Sequence, residues 1–256
     1  MPYANNHGVR IHYELEGEGS PLILLHGLSE DLGTWHDCGY VKSLRNDYKL
    51  ILIDARGHGA SDKPHNPDAY KLELLVSDVV EVLNDLRINK AHFLGFSMGG
   101  WIGFGIGKYA SERFHSLIIG AMSPYREPNE RNTLIELFKK EKDFIWASFE
   151  VEKIFGPIVT PQIKARWMTN DLKALTALVS KDWMLSLEDV LPTINLPCLL
   201  FVGEGDPFYQ GVMKCATSMP NATFISFPNL LHVETLYRSD LVIPHIKKFL
   251  TTVRKK

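Results

Sequence analysis

The residue best suited to chemistry is Ser97, which lies in the pattern Gly95-Phe96-Ser97-Met98-Gly99. An apolar run, Ala91-His92-Phe93-Leu94, precedes this pattern, and a glycine-rich stretch with helical character follows it. A strand that turns sharply into a helix at such a pentapeptide presents the serine hydroxyl at the apex of the turn. The two glycines leave room for strand and helix to approach closely. The pattern therefore predicts a nucleophilic serine, although a pentapeptide of this kind also arises by chance.

A serine hydroxyl becomes an effective nucleophile when a base accepts its proton, and that base needs a third group to hold its tautomer. Candidates for both roles follow two later predicted strands. Asp206 comes after Leu199-Leu200-Phe201-Val202, and His232 lies in the predicted loop after the strand that ends at Phe227. Because the carboxyl ends of parallel strands share one edge of a sheet, we expect Ser97, Asp206 and His232 to meet there.

Each of these assignments has an alternative. Glu204 precedes Asp206 by two residues and is a second candidate for the acid. Asp206 stands directly before Pro207, the position of a residue that caps a helix N-terminus. It can act both as this cap and as the acid that orients the base. His245 competes with His232, but its place inside the last amphipathic helix favours a surface or packing role.

The elements that must position these residues alternate between strands and helices. The apolar runs Leu22-Ile23-Leu24-Leu25 and Leu50-Ile51-Leu52-Ile53 are typical of strands buried on both faces of a parallel sheet. Val9 to Leu15 alternates as an exposed antiparallel strand does. Thr34 to Tyr48 is long enough for a crossover helix, and Tyr70 to Arg87 has the spacing of an amphipathic helix. This order predicts an α/β fold class, a mostly parallel central sheet with helices on both faces.

The later part of the chain resumes the same alternation. Strands are predicted at Leu117-Ile118-Ile119, Leu196 to Val202 and Ala222 to Phe227, and helices at Pro207 to Met219 and about Asp240 to Val253. These elements supply the strand ends after which Asp206 and His232 stand.

Three glycines on the helix after Ser97 are spaced four apart: Gly99, Gly103 and Gly107. Each costs up to about 1 kcal/mol relative to alanine in a helix interior, so we expect close packing of this helix on the sheet to offset that cost. A nucleotide-binding Gly-x-Gly-x-x-Gly does not fit, because Lys108 occupies the position of its last glycine.

Residues 124–192 interrupt the alternation with prolines, charges and many aromatic residues. They predict a helical lid insertion between two parts of one core domain, 1–123 and 193–256. The aromatic side chains are predicted mostly to form the core of the insertion, with a few facing a ligand: Phe138, Phe144, Trp146, Phe149, Phe155, Trp167 and Trp183.

The composition narrows the range of partners. The 256 residues carry 28 Lys and Arg against 30 Asp and Glu, with no block of like charge, which argues against a nucleic-acid or anionic-membrane partner.

The cysteines and the apolar pattern bear on where the protein resides. Cys38, Cys198 and Cys215 lack metal-like spacing and indicate reduced thiols. The polar start and the absence of a long apolar run lead us to expect a cytoplasmic protein.

Several spaced motifs together resemble the α/β-hydrolase superfamily. The order Ser97, Asp206, His232 is the order of that family, and His26-Gly27 follows the first buried strand as the family pattern requires. Asp54-Ala55-Arg56-Gly57-His58-Gly59-Ala60-Ser61 is similar to the family's Asp-x-Arg-Gly-x-Gly-x-Ser loop. The resemblance runs from about Val9 to Leu250, with 124–192 in the position of the family's variable lid, and it implies the α/β-hydrolase fold.

The resemblance also implies a function. It implies a carboxylesterase-like serine hydrolase with Ser97, Asp206 and His232 as catalytic residues, and an oxyanion hole made by the backbone N–H groups of Leu28 and Met98. It implies structural roles for His26 and His58 in loops beside the site. We expect no cofactor and no metal. The expected reaction is hydrolysis of carboxylic esters of small to medium, largely apolar substrates through an acyl-enzyme.

Other functions of the same fold stay open. Epoxide hydrolases and haloalkane dehalogenases need Asp at the apex, so Ser97 argues against them. Lactone hydrolysis, C–C bond hydrolysis and acyl transfer use the same three residues, and a small-molecule receptor can keep them with very slow turnover. The predicted partner is a small-molecule ester, with neither nucleic acid nor membrane, and the protein is predicted to be a monomer or homodimer.

Overall fold

One sheet of eight strands runs through the part of the protein that the computed structural model describes, residues 2–125, 165–180 and 185–254. In chain order the strands are β1 Tyr3–Asn6, β2 Val9–Glu16, β3 Ser20–Leu25, β4 Tyr48–Ile53, β5 Ala91–Phe96, β6 Phe114–Gly120, β7 Cys198–Gly203 and β8 Ala222–Phe227. Their spatial order is β1-β2-β4-β3-β5-β6-β7-β8. β1, β2 and β4 pair antiparallel, and all pairs from β4 to β8 are parallel. The predicted α/β class is confirmed.

Helices pack against this sheet. Within the described ranges the α-helices are α1 Gly33–Asp37, α2 Tyr40–Leu44, α3 Leu72–Asp85, α4 Met98–Tyr109, α5 Leu172–Ser180, α6 Tyr209–Ser218, α7 His232–Tyr237 and α8 Ser239–Arg254. Short 3₁₀ turns lie at Pro67–Tyr70, Ser111–Arg113 and Glu188–Thr193. The predicted face of α3 is buried, with Leu72, Leu75 and Val79 in the core.

Two local features differ from what the sequence predicted. The single crossover helix expected from Thr34 to Tyr48 is split into α1 and α2 at Gly39, whose φ of 78° is a left-handed conformation that ends a helix. The strand β1 was not predicted, because it is a short edge strand of polar composition in which only Ala4 and Asn6 are buried.

The chain reverses its direction across the sheet at β3. From β3 it crosses to β4 on one side, and α3 then returns it to β5 on the other side of β3. In open α/β sheets ligands bind outside the carboxyl ends of the strands at such a reversal. The loop after β3 and the turn after β5, which carry His26-Gly27 and Ser97, therefore meet at this point.

The glycines of α4 explain its close packing, with one correction. A Cβ on Gly99 would lie 2.2 Å from the Leu25 carbonyl oxygen, and one on Gly103 would lie 2.9 Å from a Phe93 ring carbon, so both allow contact with the sheet as expected. Gly107 does not face the sheet. A Cβ there would lie 2.7 Å from the Ile194 side chain, just after the third 3₁₀ turn.

The lid and its boundaries at 124 and 192 stay a prediction. Of this segment the structure describes the helix α5, the 3₁₀ turn Glu188–Thr193 and short flanking stretches, and Trp167 is buried. The other aromatic residues that we assigned to the insertion core lie outside the described residues: Phe138, Phe144, Trp146, Phe149, Phe155 and Trp183.

All three cysteines lie in the described residues, and each is a buried free thiol. Burial raises the pKa of each thiol, so the reactive thiolate form is disfavoured.

Within the described ranges, none of the helices is both long enough and apolar enough to cross a bilayer.

Candidate active site

Ser97 stands at the apex of a strained turn between β5 and α4. Its φ of 53° and ψ of −115° are unusual for a residue with a side chain. A Cβ on Gly95 would lie 2.3 Å from the Gly99 carbonyl oxygen, so only glycine allows the turn to close this tightly. The Ser97 N–H donates to the Gly120 carbonyl at 2.9 Å, which fixes the apex to β6.

The three predicted side chains form one hydrogen-bonded chain. His232 Nε2 lies 2.9 Å from Ser97 Oγ, and His232 Nδ1 lies 2.8 Å from Asp206 Oδ2. Because a carboxylate can only accept, the proton of the neutral ring lies on Nδ1, and Nε2 accepts from the serine hydroxyl. The His232 and Asp206 side chains are 7% and 0% exposed, so the pair is shielded from water while Ser97 remains partly exposed.

Asp206 serves two partners, as the sequence suggested. Its Oδ2 faces His232, and its Oδ1 accepts from the Phe208 N–H at 2.8 Å, although α6 begins only at Tyr209. The loop that carries it is joined to the His232 loop through backbone: the Gly205 N–H donates to the Leu230 carbonyl at 3.0 Å. A Cβ on Gly203 would lie 2.1 Å from the same oxygen. These glycines bring Asp206 and His232 together.

The prediction that His232 lies in a loop was wrong. His232 is the first residue of the short helix α7. The Leu231 N–H just before it donates to Glu234 Oε2 at 2.9 Å, and the Thr235 N–H donates to the Leu231 carbonyl at 2.9 Å. These bonds close the first turn of α7 and fix the backbone that carries the imidazole. The helix is too short for periodicity to reveal it.

The alternative residues lie elsewhere. Glu204 is exposed, and its Oε1 accepts from the Ser226 hydroxyl at 2.9 Å. His245 is exposed on α8 and packs edge-on against Phe227, with ring centroids 5.8 Å apart. Neither reaches Ser97 in the network that the structure describes.

The two backbone groups predicted as oxyanion donors flank the nucleophile. Met98 is the first residue of α4, where an N–H has no acceptor within the helix. Leu28 lies in the loop after β3, and a Cβ on the neighbouring Gly27 would lie 3.4 Å from Ser97 Cβ. Within the part of the chain that the structure describes, neither N–H has an intramolecular acceptor. Their role in catalysis stays a prediction.

A family profile described as alpha/beta hydrolase fold matches residues 20–232. The chain belongs to this family. The match covers every strand from β3 to β8 and ends at His232. The protein is therefore a hydrolase with the α/β-hydrolase fold.

Relatives of this α/β-hydrolase carry several activities in their names. A 3-oxoadipate enol-lactonase 1 of Acinetobacter baylyi is 28% identical over 79% of this chain and 78% of its own length. A putative non-heme chloroperoxidase of Synechocystis is 26% identical over 98% of this chain and all of its own length. The crystal structure of the enol-lactonase from Burkholderia xenovorans LB400 is 24% identical, with a TM-score of 0.87, and the match covers 98% of this chain and all of the other; it supports the fold alone.

His26 and His58 of this α/β-hydrolase are bound to backbone at both ring nitrogens. His26 Nε2 accepts from the Ala55 N–H at 3.0 Å and Nδ1 donates to the Gly27 carbonyl at 2.8 Å. His58 Nε2 accepts from the Ser29 N–H at 3.1 Å and Nδ1 donates to the Arg56 carbonyl at 3.2 Å. Burial lowers the pKa of His58 to about 3. With its basic nitrogen occupied, neither ring is free to accept a proton from Ser97.

Sequence reasoning missed the residues that hold the loop after β3. Glu30 is 8% exposed and accepts from the Gly27 N–H at 2.9 Å. Arg166 pairs with Asp31 at 3.1 Å and also with Asp37, so the segment before α5 is tied to this loop. The signal for Glu30 was its place three residues after Gly27, close enough to close a turn.

Two aromatic rings pack against His232. The ring centroids of Phe96 and Phe208 lie 5.1 and 5.6 Å from that of His232, and both side chains are buried.

Within the described residues no group of three or more His, Cys, Asp and Glu side chains is placed to hold a metal ion. The chemistry that the described site offers is that of a serine, an imidazole and a carboxylate.

Proposed function

We propose that this α/β-hydrolase cleaves carboxylic esters through an acyl-enzyme intermediate. The proposal depends on one observation, the hydrogen-bonded chain from Ser97 Oγ through His232 to Asp206 Oδ2, with links of 2.9 and 2.8 Å. A serine with a base in hydrogen-bond reach, itself oriented by a buried carboxylate, is the arrangement that activates a hydroxyl for attack on a carbonyl.

In the first half of the reaction His232 Nε2 accepts the Ser97 proton as Oγ forms a bond to the ester carbonyl carbon. The carbonyl oxygen becomes an oxyanion, which the N–H groups of Leu28 and Met98 stabilise. The imidazolium, held by Asp206, then donates its proton to the leaving alcohol, and the C–O bond breaks. Ser97 is left acylated.

In the second half water takes the place of the alcohol. His232 accepts a proton from the water, whose oxygen attacks the acyl carbon through a second oxyanion. The proton then returns to Ser97 Oγ as the acyl bond breaks, which releases the carboxylic acid and restores the resting site.

Small to medium, largely apolar substrates fit the described surroundings. Leu28, Leu230 and Leu231 are partly buried apolar side chains in the two loops that flank Ser97 and His232. Apolar walls with a few polar groups at the reacting atoms are typical of small-molecule sites. We further propose that the protein acts as a monomer or homodimer in the cytoplasm.

A lactone is the second candidate substrate, because a lactone is a cyclic ester and the same chain of residues attacks it. The observation that favours it is the 28% identity to the A. baylyi protein named 3-oxoadipate enol-lactonase 1 over 79% of this chain. An open-chain ester and a lactone differ in the fate of the alcohol, which in a lactone stays attached to the acyl group.

The test is hydrolysis of p-nitrophenyl esters of increasing acyl length, beside a lactone and a peptide anilide. We expect the wild type to turn over esters many times per molecule, and Ser97→Ala to lower kcat by roughly 10⁴- to 10⁶-fold, because loss of the nucleophile removes the acyl-enzyme route. Mass spectrometry of the quenched wild type should find the acyl group on Ser97.

Ser226→Ala is the matched control. That serine donates to exposed Glu204 and lies outside the hydrogen-bonded chain, so its removal should leave kcat and KM at wild-type values. Full ester hydrolysis by Ser97→Ala would refute the proposal. A single product molecule per protein, without further turnover, would also contradict it and would point to a receptor.

A further inference from the structure

The loop after β3 makes a tight turn at Gly27–Glu30. The Glu30 N–H donates to the Gly27 carbonyl at 3.3 Å, and the Glu30 carboxyl accepts from the Gly27 N–H at 2.9 Å. Ser29, the third residue of this turn, has a φ of 67°. A type II turn requires such an angle at its third residue and normally has glycine there, so this turn needs support from its neighbours.

Hydrogen bonds fix most of the N–H groups of the turn, and its Gly27 and Ser29 carbonyls. The Ser29 N–H donates to His58 Nε2 at 3.1 Å, and the Ser29 carbonyl accepts from Asn170 Nδ2 at 2.8 Å. Of the four N–H groups in the turn, that of Leu28 alone has no acceptor within the described residues. This N–H is the one that the proposed mechanism assigns to the oxyanion.

Glu30 lies behind the turn and close to the nucleophile. A Cβ on Gly27 would lie 3.0 Å from Glu30 Oε2 and 3.4 Å from Ser97 Cβ, so the carboxyl and the nucleophile pack against the same glycine. The side chain is only 8% exposed. A buried carboxyl is costly unless it is hydrogen-bonded, and this one accepts from the Gly27 N–H.

We propose that Glu30 is a positioning residue for the oxyanion hole: its carboxyl holds the Gly27 N–H and so fixes the backbone that presents the Leu28 N–H. This inference rests on the proposed function. Glu30 does not touch the reacting atoms. Because the Leu28 bond matters most when negative charge develops on the substrate oxygen, loosening the turn weakens transition-state binding more than substrate binding.

The test compares Glu30→Met, which keeps the volume but removes the acceptor, with Glu30→Gln, which keeps an acceptor oxygen. The glutamine amide oxygen can accept from the Gly27 N–H as the carboxyl oxygen does. We expect Glu30→Met to lower kcat by about 10- to 100-fold with KM within about threefold of wild type. Glu30→Gln should restore most of the loss.

Asn5→Leu is the matched control. Asn5 Oδ1 accepts the Gly8 N–H at 2.8 Å, so it too holds a glycine N–H three residues away, but in the exposed turn between β1 and β2. Its removal should leave kcat and KM unchanged. Wild-type kcat in a folded Glu30→Met, or an equal loss in both Glu30 variants, would overturn the proposal.

Amide exchange of the wild type gives a readout that needs neither a variant nor activity. The Gly27 N–H should exchange slowly under native conditions, because it is bonded to a buried carboxyl. Exchange as fast as that of an exposed loop amide would overturn the role of Glu30, whether or not the variants fold. Failure of the proposed function is a separate result, in which the wild type hydrolyses no ester while Gly27 remains protected.

Discussion

At the scale of single residues, the site uses its histidines in two ways. His232 keeps one nitrogen for the Ser97 hydroxyl, whereas His26 and His58 use both nitrogens on backbone groups of the loops around it. The same side chain thus faces a serine hydroxyl at one position and only backbone groups at two others. The difference follows from what surrounds each ring.

Because His58 is buried, we expect the protein to lose stability in acid. Burial holds its pKa in the folded state at about 3, below the value of about 6.5 in an unfolded chain. Below pH 6.5 the unfolded state therefore binds a proton that the folded state does not, and stability falls as the pH drops toward 3. Between pH 7 and pH 5 this histidine should lower the free energy of unfolding by about 2 kcal/mol.

Urea denaturation at the two pH values measures this contribution when wild type is compared with His58→Gln. The amide can accept from the Ser29 N–H and donate to the Arg56 carbonyl, but it does not titrate. The variant should therefore lose about 2 kcal/mol less than wild type on going from pH 7 to pH 5. The same pH dependence in both proteins would show that the ring is not held neutral by burial.

At the scale of elements, the approach of α4 to β3 decides where Ser97 stands. The Gly99 N–H donates to the His26 carbonyl at 3.1 Å, so the first turn of α4 lies against the carboxyl end of β3. This contact brings Ser97 next to the loop that carries Leu28. A helix with larger residues on this face would be held further from the sheet.

Gly99→Ala is expected to destabilise the protein by at least about 3 kcal/mol, since the new Cβ would lie 2.2 Å from the Leu25 oxygen and 2.9 Å from the His26 oxygen. Both are backbone atoms, which cannot move without shifting the end of β3. Thermal or urea denaturation measures the loss.

Gly105→Ala on the same helix is the control. The three nearest atoms to its Cβ would belong to the side chains of Leu72 and Val76, at 2.7 to 2.9 Å, and not to backbone, and alanine gains helix propensity of up to about 1 kcal/mol. We expect it to lose about 1 to 2 kcal/mol, less than Gly99→Ala, because side chains give way more readily than backbone. Equal losses in both variants would mean that backbone proximity at Gly99 is not the cause.

At the scale of the whole molecule, a buried ion pair joins distant parts of the chain. Arg56 Nε and Nη2 donate to the two Asp78 oxygens at 2.9 and 2.6 Å, and Asn6 Nδ2 donates to Asp78 at 2.7 Å. The loop after β4, the helix α3 and the edge strand β1 are thereby connected at one carboxylate. Arg56 also donates to the Ala69 carbonyl at 2.8 Å.

Asp78→Asn is expected to lower the free energy of unfolding by about 3 to 5 kcal/mol, because it leaves the buried Arg56 without its counter-charge. Asp240→Asn removes a similar two-bond pair with Arg238 at the surface, where water screens both charges, and should leave the free energy of unfolding close to that of wild type. Chemical denaturation of the two variants tests the difference. A cost below about 1 kcal/mol for Asp78→Asn would refute the structural role of this pair.

The sequence predicted the general architecture well because its signals are local. Continuous apolar runs marked β3, β4 and β5, and the strain imposed by Gly95-x-Ser97-x-Gly99 marked the turn. The meeting of Ser97, Asp206 and His232 followed from a single topological fact, that parallel strands present their carboxyl ends at one edge. The hydrogen-bonded chain among them agrees with that reasoning, while their roles in catalysis await experiment.

Other features depended on neighbours that no local pattern specifies. β1 forms because β2 offers a partner to a polar segment, and Gly107 faces Ile194 rather than the sheet. His232 begins a helix of six residues that is closed by Glu234. The buried Glu30 reads as an ordinary polar loop residue until the fold places it behind Gly27.

The amino-acid sequence by itself determined most of the strands and helices and which side chains stand at the strand ends, since backbone sterics and hydrophobic periodicity act over a few residues. Only the tertiary structure decided which groups support those side chains. Hydrogen bonds such as that between Gly27 and Glu30, or Ser29 and His58, require distances and burial that arise when the loops pack together.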